Sequence, residues 1–371
     1  MNKFYSVFVF IFLLLVIAAP ARSFQGDDDS PDIVYEKAVV MNMESEEVSD
    51  DLRDAGFVQK YKVTVKMKTG EHKGKLAQTD IYTEQNILFD LNIRVGDTVI
   101  VTYEESGEHL QVSIVERDKG KPLLLLTIIF LISVVLLGRF KGVKALFSLI
   151  FTLALIFVIM VPMLLKGYSP LISAILVSIL STVVTMLIVA GINHKSYSAM
   201  IGTLGGVFIA GILSVLCTAV MRLSGLVGHE SIFLQSISDQ IDLRGILVCG
   251  IIIGALGAVM DVSISISSSI TEVKQANPNL SLKELYRAGI NIGSDIIGTM
   301  TNTLILAYSG SSLTMVMLFM AQKSDFPLIR VMNFDFITSE ILRALAGSIG
   351  MITAIPITAL AAAYFNARRI K

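Results

Sequence analysis

The chain has 371 residues, 53% of them hydrophobic and only 16% charged, with a formal net charge of −1. This composition places it in the membrane class, where length is no guide to the number of soluble domains. It carries no block of Lys and Arg dense enough for a nucleic-acid footprint, so nucleic acid is not an expected partner.

The first element is an apolar stretch over 4–19, preceded by Lys3 and followed by Ala19-Pro20-Ala21. This reads as a secretory signal over 1–23, with an uncleaved signal anchor as the alternative. Either way, the following segment, 24–121, is expected outside the cytoplasm. It is polar and charged, and its acidic run Asp27 to Asp29 lacks the Gly and Glu spacing of a calcium loop and reads as a solvated linker. Tyr61, Val63, Val65 and Met67 alternate with Lys62, Thr64, Lys66 and Lys68, the period of two of a half-buried strand. Thr69-Gly70-Glu71 and Gly96-Asp97 mark turns. Val99, Val101 and Tyr103, then Leu110, Val112 and Ile114, supply further strands, about five in all. A small all-β domain, barrel or sandwich, is the expectation.

From 122 to 371 the chain reads as a transmembrane helical domain. Apolar runs recur over 123–138, 145–165, 171–192, 198–221, 246–267, 300–321 and 342–365. Each is close to the length that crosses about 30 Å of hydrocarbon, so the expected fold is an α-helical polytopic membrane protein of about seven spans. With the β domain outside, the inner segments hold Arg139, Lys141, Lys144, Lys195, Lys274, Lys283, Arg287 and the tail Arg368, Arg369 and Lys371. The outer loops hold fewer cations: Lys166, Arg222, Arg244, Lys323, Arg330 and Arg343. The positive-inside rule then puts the C terminus in the cytoplasm of a bacterial inner-membrane protein. After Asn277-Pro278, residues 280–290 mix Leu and Ile with Lys283, Glu284 and Arg287, the pattern of a short helix at the membrane surface.

Within the fifth span Gly250, Gly254, Gly257, Asp261, Ser265, Ser268 and Glu272 recur at steps of three and four, one stripe on a helix. The glycines are candidates for close helix packing, and Asp261, Ser265 and Ser268 for a polar pathway, since a carboxylate at membrane depth needs a partner, a cavity or water. A paired or protonated packing residue is the plainer reading of Asp261. In the sixth span Asn291, Asp295, Gly298, Asn302 and Ser309 make a second stripe, with Gly298 a packing candidate and Asp295, Asn302 and Ser309 pathway candidates. Ser309-Gly310-Ser311-Ser312 interrupts this span as a helix break at a solute site would, and as a Ser/Gly-rich helix interface also would. Glu340 and Arg343 enter the last span as a candidate (i, i+3) ion pair, Gly347, Gly350 and Ala354 follow on one face, and Pro356 is a kink candidate.

Cys217 and Cys249 lie in apolar runs and read as small buried hydrophobes, and His72, His109, His194 and His229 never pair at i, i+4. No phosphate-cradling loop, nucleophile elbow or zinc-protease motif is present. No metal, cofactor or enzymatic activity is therefore expected. Asp261 and Asp295 lack the sequence settings of an intramembrane aspartyl protease.

Three blocks resemble the YibE/F family of bacterial multi-pass membrane proteins: GALGAVMDVSISISSSITEV from Gly254 to Val273, DIIGTMTNTLILAYSGSSL from Asp295 to Leu313, and EILRALAGSIGMITAIP from Glu340 to Pro356. The similarity runs from about residue 33 to the C terminus, and it implies an architecture rather than an activity. The functional expectation is a transporter or permease for an ion or small solute. The alternative is a membrane-anchored envelope-interaction or sensory protein acting through its outer β domain, and a lipid-acting enzyme ranks third. The lipid bilayer is the one firm partner expected, with a homo-oligomer or an envelope component as candidates.

Overall fold

The computed structural model describes residues 34–46, 57–84, 93–106, 109–237, 241–321 and 327–367. The expected signal segment, the acidic run and the cationic tail lie outside them. The chain divides into a strand-rich unit, 24–133, and a helical unit from Val134 onward, each with its own core.

Five strands form one antiparallel sheet: β1 (Tyr35–Glu46), β2 (Phe57–Met67), β3 (Leu76–Glu84), β4 (Thr98–Ser106) and β5 (His109–Arg117), in the order β3-β2-β1-β4-β5. Alternation decides which face is buried. Val63, Val65 and Met67 of β2 meet Ala38 and Val40 of β1 and Val99 and Val101 of β4 in a single apolar core. The pairing shifts register after Val40 in β1 and between Ile100 and Val101 of β4, irregularities of the kind that sharpen twist, and the edge strands β3 and β5 approach each other. The product is a half-barrel. Five strands and both expected turns are present, and among the described residues the sheet neither closes into a barrel nor doubles into a sandwich. Glu36 is the charged exception on the core face, only 4% exposed, with its carboxylate lying over Gly70.

The described helices are α1 (Gly120–Leu165), whose first residues, to Ser133, belong to the strand-rich unit, α2 (Pro170–Val189), α3 (His194–Val220), α4 (His229–Ile237), α5 (Leu243–Ala276), α6 (Leu282–Ser311), α7 (Leu313–Ala321), α8 (Leu328–Val331) and α9 (Asp335–Ala367). Five of these, α1, α2, α3, α5 and α9, are long and apolar enough to cross a membrane, and α6 with α7 makes a sixth, bent by 59°. The outer faces carry exposed Phe157, Phe208, Leu306 and Leu360, while hydroxyls and glycines are buried inside. That arrangement suits a hydrocarbon solvent, which leaves apolar faces outward at no cost and demands that polar groups pair within.

Helices α3, α5 and α9 form the heart of the bundle, with α6 against α9 and α5, and α2 against α5 and α3. The α3–α9 crossing is set by glycine. A Cβ at Gly206 would lie 2.5 Å from the Gly350 carbonyl and 2.8 Å from both Ala354 Cβ and Val259 Cγ1; one at Gly202 would overlap Thr358. Backbones touch here because no side chain intervenes. Inside α1 the backbone breaks at Arg139, with φ 49° and ψ −133°, and a Cβ at Gly142 would run into the Val134 carbonyl, so the chain turns sharply where an inner loop was expected.

The structure corrects the reading of 280–290. There is no separate surface helix: α6 starts at Leu282 and continues unbroken to Ser311. Ser281 caps it, accepting from Glu284 N–H, while the Glu284 carboxylate accepts from Ser281 N–H at 2.7 Å. Gly289 and Gly293 then bring the helix against Ile270, Ala359 and Ile355, so tertiary packing carries it through the polar stretch.

Candidate functional site

Helix α5 is capped by Asp242, whose Oδ1 accepts from Gly245 N–H at 2.9 Å, and its 34 residues reach about 51 Å. Asp261 lies near its middle. Ile252, Val259, Ile266 and Ile270 are buried on the core face; Gly250, Gly254, Gly257, Asp261, Ser265 and Glu272 are exposed on the other, and Ser268 is half-buried. The stripe is therefore a real face of the helix, turned away from the bundle core.

Helix α6 behaves in the same way. Leu285, Gly289, Gly293 and Leu304 are buried, whereas Asn291, Asp295, Gly298, Asn302 and Ser309 are exposed. The two helices run antiparallel. Tyr308 faces Gly254, where a Cβ would lie 2.7 Å from its hydroxyl, and Gly289 faces Ile270. This register brings Asn302 level with Asp261 to within a turn, and Asp295 level with Ser265. Among the described residues no hydrogen bond joins the two stripes directly.

Of the glycines expected to pack, Gly250 faces Arg343 Nη2 at 3.9 Å from its would-be Cβ, and Gly254 faces Tyr308. Among the described residues nothing beyond the adjoining turns of its own helix lies within 4 Å of a Cβ at Gly257 or Gly298. The tight glycine contacts fall instead on α3 and α9 and at Gly289 and Gly293. The signal for the α3 contact was the Gly202-x-x-x-Gly206 spacing, which lay unremarked inside an otherwise ordinary apolar run.

Arg343 and Glu340 form the expected ion pair at 3.1 Å, and the guanidinium stands 5.9 Å from the centroid of Tyr308. Arg343 Nε and Glu340 Oε2 are buried with no hydrogen-bond partner among the described residues. Tyr308 thus joins α5, α6 and α9, a role that only the folded arrangement reveals. The helix break falls where the Ser309–Ser312 run lies, between α6 and α7. The Tyr308 carbonyl freed there accepts from Ser311 Oγ at 2.7 Å and from Ser312 N–H at 3.2 Å, so the run satisfies its own backbone.

At the other end of the bundle, where α3 begins and α5 and α9 end, a cavity of about 270 Å³ is walled by polar side chains, among them Ser268 and Glu272 of the α5 stripe. Sequence reasoning missed the contributions of Lys195 and Asn366 to it, which come from helices far apart in the chain.

A half-barrel of five strands followed by a bundle of apolar helices with polar faces defines a multi-pass membrane protein with an N-terminal β domain. The chain belongs to the YibE/F family: the family described as YibE/F-like protein matches residues 126–368, and the YibE/F family N-terminal domain matches residues 35–117. Comparison with curated proteins gives no match, and comparison with solved structures gives none.

Proposed function

We propose that this protein is a permease for an ion or small solute, with the exposed faces of α5 and α6 lining its polar path. The observation that carries the reading is the position of Asp261. Its carboxylate sits mid-way along an apolar helix, faces away from the core and comes level with Asn302. A charged group at the bilayer centre costs roughly 2.5–3.5 kcal/mol even on insertion scales, a cost relieved when the group lines water or binds a cation. Asp295 and Ser265, level with each other, continue the path, and Ser268 and Glu272 lead it to the cavity.

In this reading the protein spans a bacterial inner membrane seven times. The break at Arg139 divides α1 into two spans, and α6 with α7 makes one broken span of the kind that borders transport sites. The cation bias puts residues 24–121 outside and the C terminus in the cytoplasm.

Proton and cation flux into liposomes tests the proposal, with wild type beside Asp261→Asn and Asp295→Asn. Asp261→Asn is expected to cut flux at least tenfold while leaving the protein monodisperse. Undiminished flux in that variant overturns the assignment of Asp261. No wild-type flux for any common cation shifts the function to recognition of an envelope component by the outer β domain.

A further inference from the structure

The cavity at the start of α3 has walls of both charges. Lys195 and Glu272 both line it, and among the described residues neither has an ion-pair partner within 4 Å. The two wall charges face one space without neutralising each other.

Two further features show that the space is built rather than left over. Asn366 is only 3% exposed, and its Nδ2 donates to the Ala362 carbonyl at 2.8 Å and to Thr271 Oγ1 at 3.4 Å. Its Oδ1 receives no hydrogen bond among the described residues, so an acceptor is open on the cavity wall. The first turn of α3 is meanwhile pinned to α5. Ser267 Oγ donates to the Lys195 carbonyl at 2.8 Å and shares a 2.7 Å hydrogen bond with Ser198 Oγ. Asn193 caps only Ser196 N–H, at 2.9 Å. The amides of His194 and Lys195 therefore stay without an acceptor in their own helix, beside the positive end of its dipole.

Lys195 and these amides offer donors to the anionic end of a guest, and the Glu272 carboxylate and Asn366 Oδ1 offer acceptors to an ammonium. A guest with one charge alone would leave the opposite wall charge unanswered. The volume lies just below the roughly 300–1,000 Å³ of pockets that hold drug-sized molecules, which sets the guest at metabolite size.

We propose that this cavity binds a small zwitterion, a primary ammonium joined through a few atoms to a carboxylate or phosphate. The guest is either a free metabolite or the headgroup of an ethanolamine phospholipid. The inference deepens the transport reading by naming a substrate class and rests on it only for the idea that the guest moves.

The test is calorimetric titration of the full-length protein in detergent with glycine, γ-aminobutyrate and phosphoethanolamine, with ethylamine, acetate and inorganic phosphate as single-charge controls. A parallel arm measures lipids retained in nanodiscs of mixed phosphatidylethanolamine and phosphatidylglycerol. Saturable binding of at least one zwitterion, weakened tenfold or more by both Lys195→Gln and Glu272→Gln, is the expected result. Selective retention of phosphatidylethanolamine that both variants abolish assigns the site to the headgroup instead. Glu230→Gln, outside the cavity, serves as the folded control.

Binding of the single-charge controls as tight as that of the zwitterions overturns the proposal. So does binding that survives both substitutions, or absence of both zwitterion and lipid binding. Zwitterion binding without Asp261-dependent flux keeps the site and removes the transport reading, and flux without binding does the reverse.

Discussion

Asp118 closes the strand-rich unit onto its own beginning: its carboxylate takes a 2.9 Å ion pair from Lys37 of β1 and a 3.0 Å hydrogen bond from the Gly120 amide. The Lys37 ammonium, with that amide, holds the Asp118 carboxyl below the usual carboxylate range. Because the folded value lies below the unfolded one of about 3.9, the stabilisation is fully present above that pH and is lost as pH falls through the folded value. Scanning calorimetry from pH 3 to 7 should show wild type losing stability toward acid faster than Asp118→Asn, which has nothing to titrate there. Parallel profiles would mean that the pair contributes nothing measurable, as exposed pairs often do. Single residues were legible in the sequence to different degrees. Asp261 and Asp295 stood out because a carboxylate inside an apolar run is anomalous before any fold is known. Lys195, Tyr308 and Asn366 did not, since each is ordinary in its own segment and gains meaning only from helices that pack beside it.

Elements were legible where one local rule decided them. Strand alternation fixed which residues of β2 and β4 face the core, and the Ser309–Ser312 run fixed where α6 ends. The rule failed at 280–290, where polar content argued for a surface helix while Gly289 and Gly293 let tertiary contact hold one long helix. The same contrast between local pattern and packing separates the glycines. Gly206→Leu should destabilise the bundle by about 1–3 kcal/mol or more, because its side chain would enter the backbone contact between α3 and α9. Gly257→Leu meets open space and should leave the thermal midpoint of the purified protein within a degree or two. A matched loss in both variants would show that the Gly257 face is occupied in the assembled protein. Equal tolerance would remove the α3–α9 crossing as a determinant of the fold.

At the scale of the whole molecule, the number of crossings hangs on α1. Its 46 residues would extend about 69 Å as one straight helix, more than twice the hydrocarbon thickness. Broken at Arg139, it yields pieces of about 28 Å and 39 Å, each long enough to cross. Parity turns this into a measurement. Between the sheet and the connection from α3 to α5 lie α1, α2 and α3. If α1 crosses twice, four crossings intervene and Glu230 lies on the same side as Lys73 of the sheet; if it crosses once, three intervene and the two lie on opposite sides. Asn279, beyond α5, must always oppose Glu230 if α5 spans. With Cys217 and Cys249 replaced by Ser, Lys73→Cys and Glu230→Cys should both react with a membrane-impermeant maleimide on intact cells whose outer layers are opened. Asn279→Cys should react only after the inner membrane is permeabilised. Reaction of Lys73→Cys from outside with Glu230→Cys protected would reduce α1 to one span, invert every segment after it and set the cavity at the start of α3 outside the cytoplasm. Reaction of Glu230→Cys and Asn279→Cys from the same side would remove α5, and Asp261 with it, from the membrane.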